Sequence, residues 1–159
     1  KGFWGHFAVI IKALAYLLSL GSTGLKQVAA DAVLAANYLQ THLKEDYKLP
    51  YDRPCMHEFV LSGLKENPAV VRTLDLAKAL LDYGVHPPTV YFPLIVAEAL
   101  MIEPTESVTK ELLDSFIATM KELAEKARTE PEKLKEAPYA TPVRRLNETE
   151  AARHPILKW

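Results

Sequence analysis

Cysteine is nearly missing from this chain: Cys55 is the only one in 159 residues. A single thiol rules out an internal disulfide and suits a reducing cytoplasm, the compartment expected here. Net charge is nearly missing too. Nineteen basic residues stand against 20 acidic ones, giving −1, so no global field draws in nucleic acid. No secretory signal is visible. The apolar stretch from Phe7 to Leu20 is interrupted by Lys12. As a helix it would span about 21 Å, short of a hydrocarbon core of roughly 30 Å. The expectation is a buried core helix and no membrane span. Internal repeats and low-complexity runs are absent. Cys55-x-His57 has no partner pair, and His42, His86 and His154 are scattered, so no metal site is expected. The same Cys–His pair lacks anything that marks an oxyanion site, which disfavours a thiol nucleophile.

What is present supports a core. Hydrophobic residues make up 49% of the chain and charged ones 25%, the composition of one globular domain over residues 1–159. The chain opens Lys1-Gly-Phe-Trp4 with no Met and no lead-in, which suggests a segment of a larger subunit. A first helix is expected from about Gly5 to Ser19. Phe7, Val9, Ile10, Ile11, Leu14, Leu17 and Leu18 nearly encircle it. A helix apolar all round is buried on most sides, so contact with further parts of the protein or another subunit is expected. Gly21 supplies a stop, and Ser22 or Thr23 can cap a second helix to about Glu45. Its apolar face runs through Leu25, Val28, Ala32, Ala36, Leu39 and Leu43.

His57 to Leu61, Val90 to Phe92 and Ala99 to Ile102 read as short strands. Asn67-Pro68 opens a helix that Gly84 ends. Thr105 caps a long helix with Glu106 in its first turn. That helix is expected to bury Leu112, Phe116, Met120 and Leu123, flanked by Leu113 and Ile117, until Pro131 ends it. Residues 132–137 could form one more turn, and residues 138–159 read as an extended tail over another surface. Helices alternating with short strands give a small α/β fold, a sheet covered by helices.

Two segments concentrate unusual backbone: Tyr83-Gly-Val-His-Pro-Pro-Thr-Val-Tyr-Phe-Pro93 and Met101-Ile-Glu-Pro-Thr-Glu-Ser107. Each proline locks a dihedral and removes a donor, and the residue before it is pushed toward extended conformations. A chain stiffened in this way around His86 is shaping the wall of a site, or is a rigid connector whose histidine merely packs. With Tyr51-Asp-Arg-Pro-Cys-Met-His-Glu-Phe-Val-Leu61, Leu20-Gly-Ser-Thr-Gly-Leu-Lys26, Tyr139-Ala-Thr-Pro-Val-Arg-Arg-Leu146 and His154-Pro155, these segments resemble glycine dehydrogenase (decarboxylating) subunit 2. This is the P-protein of the glycine cleavage system. Several motifs occur in order over essentially the whole chain. The family usually carries Asn where His6 stands.

The resemblance implies the small C-terminal domain of a fold-type I pyridoxal-phosphate enzyme. That enzyme decarboxylates glycine and passes the aminomethyl group to lipoylated H-protein. It also implies a hetero-oligomer with glycine dehydrogenase subunit 1. The family's cofactor lysine follows a histidine. No His-Lys pair exists here, so no catalytic residue is expected in this segment and the Schiff-base lysine lies upstream. Pyridoxal phosphate would then be bound mainly by that upstream domain, and the segment would close the active site.

Within such a domain His86 and Thr89 are the first candidates to meet a substrate carboxylate, because prolines fix their backbone. His57 and Glu103 are further cleft candidates. Their structural alternatives are a strand-edge hydrogen bond for His57 and a strand end leading into a capped helix for Glu103. Arg144 and Arg145 are candidates for a partner or the cleft, or a solvated pair. A stand-alone α/β interaction module, or the small domain of another fold-type I enzyme, are the alternative readings.

Overall fold

Short, almost wholly apolar runs make the sheet, and successive side chains along them turn to opposite faces. The computed structural model describes residues 3–158, so Lys1, Gly2 and Trp159 of the expected 1–159 domain lie outside the described residues. Strand β1 (Phe59–Ser62) pairs antiparallel with β3 (Ala99–Ile102), and β2 (Thr89–Val90) pairs with the other edge of β3, in the order β1-β3-β2. Phe59 faces Ile102 and Leu61 faces Leu100 across the ladder. Directly paired residues share a face, and all four are buried. Val60, Met101 and Thr89 fall on the opposite, open face.

The buried face receives the helices. Helix α1 (Phe7–Leu43) packs its C-terminal half on α3 (Lys110–Thr129) through Ala35, Ala36, Leu39 and Leu43. Helix α3 answers with Leu113, Ile117, Met120, Leu123, Ala124 and Ala127. Helix α2 (Thr73–Asp82) and the short α4 (Pro131–Glu136) close the core, and α5 (Glu148–Arg153) sits in the otherwise irregular tail. Tyr47, fully buried, donates its hydroxyl proton to the Met120 carbonyl at 2.7 Å. It thereby ties the α1–β1 connection to α3. Each large side chain buried in this way contributes about 1.5–3 kcal/mol.

The fold class is the expected small α/β fold, but four details differ. First, the expected buried core helix over residues 5–19 is solvent-exposed along its whole length. The core slot is taken by the later half of α1, and among the described residues no element covers the earlier half. Second, the two expected helices form one helical run, kinked where Gly21 adopts φ 61° and ψ −174°. Glycine tolerates that left-handed φ without a Cβ clash. Third, α3 is capped by Thr109, whose side-chain oxygen accepts the Leu112 N–H at 3.4 Å, rather than by Thr105. Met120 and Leu123 are buried as expected, but in the first two turns the flanking Leu113 and Ile117 take the core face, leaving Leu112 58% exposed and Phe116 half-buried. Fourth, α2 starts at Thr73 and not at Asn67. The Asn67 side chain instead accepts the Val71 N–H at 2.7 Å and donates to the Val71 carbonyl at 2.8 Å, closing a turn ahead of the helix.

Candidate functional site

The end of α2 aims the His86 segment. Gly84 takes φ +70°, and the N–H groups of Gly84 and Val85 return to the Leu81 and Leu80 carbonyls at 3.0 and 3.1 Å. This is a left-handed helix stop. Pro87 and Pro88 then hold the chain extended until Thr89 enters β2 beside Met101. At the other edge of the same ladder β3 runs out into Glu103 and Pro104, and the chain turns back into α3.

These three pieces enclose a cleft of about 620 Å³. One wall is the Tyr83–Thr89 segment, with His86 and Thr89. The floor is Met101, Ile102 and Glu103. The far wall is the first two turns of α3, with Leu112, Ser115 and Phe116. Three of the four cleft candidates from the sequence, His86, Thr89 and Glu103, therefore line one cavity. The fourth, His57, stands at its rim with Nε2 3.9 Å from Glu103 Oε1. The β1–β3 register explains that approach. Phe59 lies opposite Ile102, so the chain two residues before Phe59 runs alongside the segment that carries Glu103. His57 and Glu103 are each more than half exposed, so the pair is solvated and contributes at most about 1 kcal/mol.

Sequence reasoning missed Leu112 and Phe116 as cleft residues by assigning them to the core. It also gave Tyr83 no role. The Tyr83 hydroxyl donates to Glu122 Oε1 at 2.7 Å and accepts from Lys126 Nζ at 2.8 Å. Burial, the largest influence, raises the Tyr83 pKa, with opposing contributions from Lys126 and Glu122. Lys126 is itself held strongly protonated, first by Glu122 and then by Tyr83.

Arg144 and Arg145 are turned onto their own chain. Arg145 Nη2 lies 2.8 Å from Asp75 Oδ1, and its Nε donates to the Ala137 carbonyl at 2.7 Å. Arg144 donates to the Pro138 and Glu136 carbonyls at 3.1 and 2.9 Å and lies over the Tyr139 ring. Among the described residues no three His, Cys, Asp or Glu side chains converge as metal ligands. The stretch within α1 is long and apolar enough to cross a membrane by length and composition. The kink at Gly21 divides it.

A family described as glycine dehydrogenase, C-terminal domain, matches residues 28–142. The chain belongs to this family. It is 58% identical over all 159 residues to the probable glycine dehydrogenase (decarboxylating) subunit 2 of Caldanaerobacter subterraneus subsp. tengcongensis, of which it covers 33%. It is 54% identical over its whole length to the protein of the same name from Staphylococcus aureus strain MRSA252, of which it covers 32%. A crystal structure of glycine decarboxylase (P-protein) of the glycine cleavage system, in inhibitor-bound form, superposes with a TM-score of 0.56 at 26% identity. That superposition covers 69% of this chain and 24% of the other. The chain thus spans about a third of the length of these curated relatives. Enzymes of this family use pyridoxal phosphate, a cofactor that requires an amine to carry it. The cleft lining contains no lysine. The nearby Lys126 is committed to Glu122 and Tyr83, and Lys110 is committed to Asp114 at 2.6 Å. By themselves these residues do not fit that cofactor.

Proposed function

We propose that the chain is the C-terminal part of glycine dehydrogenase (decarboxylating) subunit 2, a cytoplasmic pyridoxal-phosphate enzyme. In this reading the enzyme decarboxylates glycine together with subunit 1 and passes the aminomethyl group to lipoylated H-protein. The cofactor is carried by the remainder of the subunit, and this segment supplies one wall of the reaction cleft. The observation that carries the reading is the convergence of His86, Thr89 and Glu103 on one cavity with a lysine-free lining. His86 can present an N–H, and Thr89 a hydroxyl, to an anionic substrate group. Glu103, with His57 beside it, is suited to hold a cationic or donor group at the opposite side. Leu112 and Phe116 make the far wall apolar, which strengthens polar contacts made against it.

The test is borohydride reduction of the cofactor-loaded full-length subunit, followed by peptide mapping. A pyridoxyl-lysine outside these 159 residues supports the reading. An adduct on Lys78, Lys110, Lys121 or Lys126 sinks it. If no lysine is labelled, a stand-alone interaction module becomes the better account.

A further inference from the structure

The arm formed by the first half of α1 has no role in the cleft, yet it carries a dense run of exposed large apolar side chains. Phe7, Val9, Leu17 and Leu18 are 78%, 61%, 47% and 73% exposed. Monomeric surfaces rarely leave so large a contiguous apolar patch in water. The arrangement of these side chains restricts what can cover them. Val9 and Leu18 are nine residues apart, two and a half turns at 100° per residue, so they project from opposite sides of the helix. A second copy of the arm would cover a single stripe, as in a two-helix pairing. A bilayer would need about 20 apolar residues, and the arm is cut short by the Gly21 kink and carries Lys12. An occupant that surrounds the helix must be a folded body with a groove.

The arm is held in a defined direction relative to the cleft. The Tyr16 hydroxyl donates to Glu106 Oε1 at 2.7 Å, 90 residues away in sequence. Glu106 belongs to the turn that carries Glu103. The contact fixes the arm beside the cleft mouth and leaves the other sides open.

We infer that the arm from Phe7 to Leu20 is inserted, on both its Val9 and its Leu18 sides, into the preceding part of the same subunit. It is thereby the element that seats the cleft wall on the rest of the enzyme. The inference rests on the reading above, that the chain continues a longer subunit. The curated relatives are about three times its length, and the matched family is a C-terminal domain. Whatever precedes Phe7 is tethered to the arm, at an effective concentration that a free partner does not match.

The test compares Val9→Glu and Leu18→Glu, each made in the 159-residue chain and in the full-length subunit 2. In the 159-residue chain both variants should leave the melting temperature unchanged and reduce aggregation. In the full-length subunit each should lower it by several degrees, on the order of 5 °C, because a carboxylate is forced into an apolar groove. Three results overturn the inference. The first is sensitivity of only one of the two full-length variants, coupled with a dimeric 159-residue chain in sedimentation, which means self-pairing. The second is flotation of the 159-residue chain with phosphatidylcholine–phosphatidylglycerol vesicles that either variant abolishes. The third is unchanged stability of both full-length variants while the wild-type subunit, assembled with subunit 1 and given lipoylated H-protein, exchanges the carboxyl carbon of glycine. That third result removes the arm inference and leaves the functional reading standing. No exchange by that wild-type assembly, with both variants destabilised, does the reverse.

Discussion

Arg145 is held by three contacts, and replacing it separates a structural clamp from a partner-binding role. Its Nη2 is shared between Asp75 Oδ1 at 2.8 Å and the Leu134 carbonyl at 3.1 Å, and its Nε reaches the Ala137 carbonyl at 2.7 Å. Asp75 is 7% exposed, and its second oxygen accepts the Arg72 N–H at 2.8 Å. The guanidinium thus joins the tail to the start of α2 and the end of α4. Removing one partner of a fully buried ion pair costs about 3–5 kcal/mol. The Arg145 side chain is one-third exposed, so water replaces part of the loss and Arg145→Ala should cost about 2–3 kcal/mol. Arg145→Lys keeps the charge and loses the planar fork, for about 1–2 kcal/mol. Arg144→Ala, at an exposed site with two carbonyl contacts, should cost about 1 kcal/mol or less. Urea unfolding of the 159-residue chain measures each as a shift in midpoint at constant slope. If Arg145→Ala shifts the midpoint no further than Arg144→Ala, the clamp argument fails, and a role for Arg145 toward another molecule becomes the better account.

Three further outcomes follow from the same contacts. Tyr47→Phe removes the hydroxyl contact to a Met120 carbonyl that lies within α3, and should cost about 1 kcal/mol. Tyr47→Ala empties a fully buried site and should cost about 3–5 kcal/mol; near-equal costs in calorimetry would show that ring packing is not what holds this corner. In the full-length enzyme His86→Ala should raise the KM for glycine about tenfold or more, corresponding to at least ~1.4 kcal/mol. Unchanged steady-state constants would remove His86 from the cleft wall's chemistry. Glu106 is held below the ordinary carboxylate range, first by the Tyr16 hydroxyl. A lowered folded-state value means that its contribution is present above the unfolded pKa and is lost as pH falls through the folded one. Carboxyl-carbon NMR titration should therefore find Glu106 low in the wild type and nearer the ordinary range in Tyr16→Phe, and equal midpoints would deny the contact.

Local chemistry made much of this legible. Tyr83-Gly84 ends a helix and Pro87-Pro88 enforces extension, so a shaped segment around His86 follows from residue types alone. The short apolar runs Phe59-Val-Leu61 and Ala99-Leu-Met-Ile102 announce buried strands, though not which of their faces is the more deeply buried. The α3 error came from two adjacent apolar stripes. One runs Leu112, Phe116, Met120 and Leu123, the other Leu113, Ile117, Met120, Ala124 and Ala127. They differ only in the first two turns and merge at Met120, so helical periodicity does not choose between them.

By itself the sequence determined the family, the helix stops, the short apolar strands and the lack of a cofactor lysine paired with histidine. Each of these is written in contiguous residues and local backbone preference. Only the tertiary structure decided that His86, Thr89 and Glu103 share one cavity, that Leu112 faces it, that Arg145 is spent on Asp75, and that the arm before Gly21 is bare. Those facts depend on strand register, on the rotation of α3 about its axis and on which surfaces remain after the core is filled. All three are set by contacts between residues far apart in the chain, where short-range preference carries no information.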